Sequence, residues 1–416
     1  MTDSRRERRT GVNRRPQRRT LGHAALVAAA LVALAACTQP ASESPPAPTS
    51  ASPGTRAPAA QSDTASVTFS PAMAGRKVIP GEPLTVESRG GRFTSVSVTA
   101  DDGRTLDGSL SADGTSWTSS LATDYATTYA LKARIKSSDD STATRTSTFT
   151  TLSKQKTFVG EYYPDKGATV GVAMPVSIVF NKPVHDKAAV ERGLKVTAAP
   201  AVEGAWSWMK DRNGKDRIDY RPEKYWAPGT KVTLEMDLVG VNAGGGLYGI
   251  QNRKVGFTVG ASVISTVDVV KKTMTVAENG RAIRTLPVST GKKGFETWNG
   301  TMVVLSKVPT IRMNSASVGI FGPEAYDLGE VKWDVQLTPS GTYIHAAPWN
   351  EGKFGRVNGS HGCIGMSTAD AKWFFGKVKV GDPVAVVNSK DTVATNNGYG
   401  DWNIGWKTWQ QGSALG

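Results

Sequence analysis

Between residues 83 and 152 the chain is built from short runs in which apolar and polar residues alternate, among them "PLTVES" (83–88), "FTSVSVTA" (93–100) and "STFTTL" (147–152). Gly and Asp turn signals separate them, as in "ADDGRTLDG" (100–108) and "SADGTSW" (111–117). A period of two places one apolar face on each segment, and runs this short and this closely spaced predict a β-sandwich over residues 65–152. There is no cysteine pair in it, so any immunoglobulin likeness is one of architecture.

A second unit of the same kind is predicted over residues 153–261. "PVSIVF" (175–180) and "KVTLEMDLVGV" (231–241) read as strands, and "DRNGKDRIDYRP" (211–222) carries the Asn-Gly signal of a tight hairpin. His185, beyond Pro183 in a polar stretch, reads as a solvated loop residue. No residue-level repeat links the two units strongly enough to assert a duplication.

The third unit, residues 262–388, opens with two alternating segments flanking Glu278-Asn279-Gly280, a hairpin signal. It holds the one persuasive helix, "STADAKWFFGKVK" (367–379). Ser367 is a suitable N-cap, and Ala371, Phe374, Phe375 and Val378 fall on one face. Residues 389–416 form a tail expected to pack on this unit. The fold class is therefore mainly β, two immunoglobulin-like sandwiches followed by a β-rich domain with a short helix.

Ahead of these units the composition changes. Eight arginines stand against Asp3 and Glu7 before "LGHAALVAAALVALAAC" (21–37), which is apolar except for His23. This is the pattern of an export signal over residues 1–36, too short to span a bilayer, which takes about 20 residues. "LAAC" resembles a bacterial lipobox, which implies a lipid on Cys37 and retention at the outer face of the cell membrane. "RRT" at 18–20, followed by Leu21, partly resembles a twin-arginine signal. The Pro-, Ala- and Ser-rich residues 37–64 lack the apolar side chains for a core and read as an extended tether. Of the formal charge of +14, +6 belongs to the leader and +8 stays with the mature chain. Those charges are dispersed, with no basic helix or arginine-aromatic interleaving that would suit nucleic acid.

The chain has two cysteines. With Cys37 lipidated, Cys363 has no partner within the chain, and an unpaired cysteine in an exported protein is either a buried inert thiol or a reactive one. Its setting is "SGTYIHAAPWNEGKFGRVNGSHGCIGMS" (340–367). "TYIHAAPW" reads as a buried strand with His345 at its end, followed by a glycine-rich loop and a Ser-His-Gly-Cys turn before the predicted helix. A thiol nucleophile needs a base, and the base an orienting acceptor; His345 and Cys363 can meet across a loop of this length. The approaching helix N-terminus is expected to lower the thiol pKa, and Gly359 and Gly362 let backbone amides come close to a developing oxyanion.

At these residues the chain resembles the L,D-transpeptidase family, whose catalytic domain is called YkuD: His345, then fourteen residues, then Ser360-His361-Gly362-Cys363. The lipobox and the two amino-terminal β-units are similar to mycobacterial and actinobacterial members. The resemblance covers most of residues 157–416, including "GDWNI" (400–404), and is weaker over 65–152. It implies a peptidoglycan cross-linker in which Cys363 attacks the carbonyl between the third residue and D-alanine of a tetrapeptide stem. D-alanine leaves, and the side-chain amine of a neighbouring stem resolves the thioester into a 3→3 cross-link.

By the same resemblance His345 is the general base, oriented by the backbone carbonyl of Ala346. Backbone amides around His361, Gly362 and Cys363 form the oxyanion site. His361 is expected to hydrogen-bond within the pocket rather than act as a second base, and Ser360, Tyr326, Met313, Trp349 and Gly365 are expected to contact substrate. Gly365 is a departure, because the family commonly carries Asn there. Carbapenem β-lactams are implied as covalent inhibitors, and no cofactor or metal is expected; zinc on His345, His361 and Cys363 would have no obvious fourth ligand. A papain-like peptidase is disfavoured because His345 precedes Cys363. Two other readings stay open: an L,D-carboxypeptidase, in which water resolves the thioester, and a non-catalytic wall-binding lipoprotein.

Overall fold

Tyr129, Leu131, Ala133 and Ile135 are buried while the residues between them are exposed, so strand Thr128–Ser137 turns one clean apolar face inward. That face packs against Leu84, Val86 and Trp117 of a second sheet. In this computed structural model, which describes residues 66–70, 73–74 and 77–416, the first unit is a sandwich of two sheets, four- and five-stranded. The expected leader, Cys37 and the tether lie outside the described residues.

The second unit pairs two four-stranded sheets over a core that includes Phe180, Ile218, Trp226, Leu234 and Met236. Its hairpin runs from Gly204–Lys210 to Asp216–Pro222. The connection differs from the tight turn expected. Asp211 Oδ1 accepts from the amides of both Asn213 and Lys215 at 2.8 Å, and Gly214 takes the left-handed φ of +79°. The local Asp side chain thus widens the loop beyond a two-residue turn. His185 is exposed, as its polar surroundings suggested.

In the third unit the Asn-Gly signal does make a two-residue turn, with φ of +49° at Asn279 and +81° at Gly280 joining Thr273–Glu278 to Arg281–Pro287. These strands belong to a five-stranded sheet closed by Val263–Asp268, Pro383–Val387 and Gly300–Val303. A four-stranded sheet carries the chemistry: Ser306–Asn314, Asp327–Gln336, Tyr343–Ala346 and Ile364–Met366, in that order. Its last two strands are parallel, with His345 beside Gly365. Helix Thr368–Lys377, whose cap Ser367 accepts from the Asp370 amide at 3.1 Å, buries Ala371 and Phe374 in one core with Val335, Ile344 and Ile364.

The tail departs from expectation. Asn403 holds the catalytic unit, its Oδ1 accepting from Thr301 N at 2.7 Å, but helix Trp406–Gln410 lies on strand Gly204–Lys210 of the second sandwich. There Trp409 Nε1 donates to Ala205 O at 2.9 Å, and the Arg221 guanidinium lies 4.7, 5.4 and 4.5 Å from the rings of Trp402, Trp406 and Trp409. The tail therefore bridges two units, held on the sandwich side by an arginine surrounded by indole rings and on the catalytic side by the Asn403 hydrogen bonds. Backbone bonds complete the seam, Gly171 N to Val380 O at 2.8 Å and Ala173 N to Gly381 O at 2.9 Å. A Cβ at Gly171 would lie 2.1 Å from Asp382 N, so only glycine permits this approach.

Candidate active site

The parallel pairing of His345 with Gly365, and the alternation of side chains along extended backbone, put the residues on either side of the two strands onto a shared face. Val335, Ile344, Ala346, Ile364 and Met366 join the core that holds the helix. His345 and Cys363 instead line a cleft of about 160 Å³, together with Met313, Tyr326, Leu328, Ala347, Trp349, Asn350, Gly359, Ser360, His361 and Gly365. The two strands thus deliver the base and the thiol to one concave surface.

His345 is 4% exposed, and its Nδ1 lies 2.8 Å from Ala346 O. A carbonyl only accepts, so the proton sits on Nδ1 and Nε2 is left as the basic nitrogen. Burial lowers the pKa of the imidazole, opposed by that carbonyl, and keeps the ring neutral. Trp349 is 45% exposed and stacks on His345 with centroids 5.8 Å apart, covering the base from the solvent side.

Cys363 is free, and its thiol donates to Gly341 O at 3.4 Å. Here the sequence expectation is overturned. Burial pushes the thiol up to about 11, only partly offset by the Tyr343 backbone amide and further raised by Asp334. Strand Ile364–Met366 and the cap Ser367 separate the sulfur from the helix, and Asp370 already occupies the first helical turn. The helix-end effect fades within one turn, so desolvation wins and the resting pair is neutral thiol and neutral imidazole.

The Ser-His-Gly-Cys turn is held internally. Ser360 Oγ donates to Cys363 O at 2.6 Å and accepts from Gly362 N at 3.2 Å. The Ser360 hydroxyl braces the turn while the residue lines the cleft, and one expected role is corrected here: the Gly362 amide is engaged by that hydroxyl instead of facing an oxyanion. Among the described residues the amide of Cys363 itself meets no acceptor, which leaves it as the available donor. Segment 288–297 supports the turn from outside: Ser289 and Gly365 exchange backbone bonds at 2.8 and 2.9 Å, and Thr297 Oγ1 donates to Gly362 O at 2.9 Å.

His361 lies between Phe295 and Tyr326, with centroids 4.7 and 5.0 Å away, and its Nε2 is 2.7 Å from Glu324 Oε2. Lys292 Nζ reaches the same oxygen at 2.5 Å. The Glu324 carboxylate is held below its usual range by Lys292 first and His361 second. Met313, 8% exposed, and Tyr326 line the cleft from the strand Ser306–Asn314 and the segment just before strand Asp327–Gln336. A Cβ at Gly365 would stand 2.9 Å from the Ala347 Cβ, so the space an Asn would enter is filled by a neighbouring methyl.

Leu328, Ala347 and Asn350 in the lining, the Glu324–Lys292 pair, and the Gly341 carbonyl and Tyr343 amide at the sulfur were all missed from sequence. Gly341 stands just before the His345 strand and Tyr343 opens it, and that adjacency was the one available signal. Among the described residues no group of His, Cys, Asp and Glu is placed to hold a metal ion.

The model of the bacterial Ig domain matches residues 75–242, and that of the L,D-transpeptidase catalytic domain matches residues 262–386. The chain is 37% identical over 335 residues to L,D-transpeptidase 2 of Mycobacterium tuberculosis, spanning 80% of this chain and 81% of that relative. It is 33% identical over 353 residues to L,D-transpeptidase 5 of the same species, spanning 84% and 77%. A solved structure of the LD transpeptidase LdtMt1 in complex with imipenem is 35% identical, covers 55% of this chain and 97% of that chain, and has a TM-score of 0.47.

Proposed function

The chain belongs to the L,D-transpeptidase family, and from that premise we propose that it cross-links peptidoglycan through a thioester on Cys363. The carrying observation is the placement of one buried thiol and one imidazole with a fixed tautomer in a single cleft. An enzyme of this family is an acyltransferase, so the spacer-only reading falls away.

With both partners neutral at rest, thiolate is made only as it is used. His345 Nε2 takes the Cys363 proton while the sulfur attacks the carbonyl carbon between the diamino acid and D-alanine of a tetrapeptide stem. The Cys363 amide donates to the oxyanion. When the tetrahedral intermediate collapses, the C–N bond breaks and His345 returns the proton to the departing D-alanine amine. The side-chain amine of a second stem then attacks the thioester, gives a proton to His345, and the C–S bond breaks to restore the thiol. Met313, Tyr326 and Trp349 form the walls against which the donor stem lies, and the strained amide of a carbapenem enters the same site and acylates the same sulfur.

The arginine-rich leader, the apolar run and Cys37 support an exported lipoprotein held at the outer face of the membrane, with residues 37–64 and the sandwiches carrying the catalytic unit toward the wall. Cys37→Ser would then move the protein from the membrane fraction to the soluble one, and continued membrane retention would contradict the anchor.

The test of the activity is incubation with disaccharide-tetrapeptide and mass analysis of the products. Cross-linked dimer with released D-alanine supports the transpeptidase. Tripeptide without dimer points to the carboxypeptidase, and unchanged substrate would overturn both.

A further inference from the structure

Asp334 has no part in the steps above, yet it lies inside the catalytic sheet. It is fully buried in strand Asp327–Gln336, and neither carboxylate oxygen has a hydrogen-bond partner among the described residues. Trp333, just before it, has a φ of +62°, a conformation that costs a non-glycine residue on the order of 1–3 kcal/mol. The Trp333 ring packs on Phe375 of the helix, with centroids 5.5 Å apart. The ladder with strand Tyr343–Ala346 ends at the pair Val335 and Ile344, the residues next in the chain to Asp334 and His345. Val335, just after Asp334, enters the core with Ile344, and alternation along the extended backbone turns Asp334 away from that core. Its charge is felt by both Cys363 and Tyr343, each of which it raises.

A buried carboxylate without a partner is costly, and burial alone pushes Asp334 up to about 7. Its charge state therefore changes in the range where His345 is neutral and the thiol is protonated. Nothing facing it compensates for that change. Its own strand offers Lys332, which is exposed; the strand on one side carries Tyr343 and His345; the strand on the other places Val308 across from it; and helix Thr368–Lys377, packed on the same strand, brings Lys372 over the neighbouring Trp333 ring. None of these hydrogen-bonds it.

We propose that Asp334 is a positioning residue acting through Cys363: uncharged, it lets the thiol give up its proton, and ionised, it is a buried like charge that opposes the thiolate. The proposal rests on the reading of Cys363 as the nucleophile. It makes acylation fall on the alkaline side for a reason that lies neither in the base nor in the thiol itself.

The experiment measures carbapenem acylation of the full chain against pH for wild type and Asp334→Asn, which is the same size and stays neutral. Wild type is expected to lose roughly threefold or more of its rate as pH rises through about 7, while the variant stays level or climbs and the two agree at acid pH. Superimposable profiles would overturn the proposal. Iodoacetamide alkylation of wild type, mapped to Cys363, needs no variant. A lone thiol reacts about tenfold faster per pH unit below its pKa, whereas coupling to Asp334 flattens that slope near pH 7. An unbroken slope from about pH 6.5 upward, above the lowered His345 titration, would overturn the proposal even if Asp334→Asn does not fold. Absence of acylation at every pH would indict the nucleophile reading, while acylation with an unmoved profile and an unbroken alkylation slope would indict Asp334 alone.

Discussion

His345 Nδ1 lies 2.8 Å from the carbonyl oxygen of Ala346, the residue that follows it in the chain. The orienting acceptor of the base is thus main chain, and the tautomer is set by strand geometry whatever side chain stands at 346. His345→Gln is expected to cut carbapenem acylation by about 10²- to 10⁴-fold while leaving the thermal midpoint close to wild type. A loss of less than about threefold would remove His345 from the proton transfer.

The same burial fixes the acid limb of the rate. The His345 pKa lies below its ordinary value of 6.5, so the base stays neutral until the pH drops beneath that value. Acylation should therefore hold as pH falls to 6.5 and decline only at more acid pH. A midpoint at or above 6.5 would contradict the desolvated base.

Gly365 tests how closely the turn is fitted to the strand beside it. With the Ala347 Cβ 2.9 Å from a Cβ at 365, Gly365→Ala should cost about 1–3 kcal/mol in denaturant unfolding. Combining it with Ala347→Gly should recover part of that loss through a favourable coupling between the two changes. Strict additivity of the two would show that the contact is not what excludes a side chain.

Asp382 predicts a pH effect on stability. It is fully buried at the seam with the second sandwich and is raised to about 7 by burial, although the Lys379 amide donates to it. The folded state therefore binds this proton more tightly than the unfolded chain, where the value is near 3.8. Stability from this group is whole below 3.8 and is lost as pH rises through 7. Asp382→Asn should stabilise the protein more at pH 8 than at pH 4, by at most about 4 kcal/mol. An equal effect at both values would refute the assignment.

Glu324 ties the hairpin over the cleft to the body of the domain through Lys292 and His361. The site is solvent-exposed, so Glu324→Ala should leave overall stability close to wild type. It should instead raise KM for the tetrapeptide several-fold with kcat held within about twofold, because what is lost is the donor wall carrying Tyr326. Loss confined to kcat would place Glu324 in the chemistry itself.

The parts of this protein legible from sequence are those decided locally. Asn279-Gly280 sets its turn through φ, Ser367 caps its helix through one side chain, and the His345 to Cys363 spacing carries the family pattern. Alternation, with turn signals between the runs, located both sandwiches. What escaped depends on groups far apart in the chain meeting in space: Lys292 with Glu324, and Arg221 under the tryptophans of the tail. The thiol shows the limit most sharply. Reading it beside a helix end predicted a lowered pKa, but the extent of its burial is a tertiary quantity, and burial decides the sign. The duties of Ser360 and the Gly362 amide were hidden for a related reason, since a turn consumes its own polar groups in ways that spacing does not reveal.

The most direct measurement is intact mass of the full chain after mixing with a carbapenem, followed by peptide mapping. One adduct per chain on Cys363, absent from Cys363→Ala, is the expected result. No adduct, or an adduct that persists when Cys363 is replaced, would contradict the account.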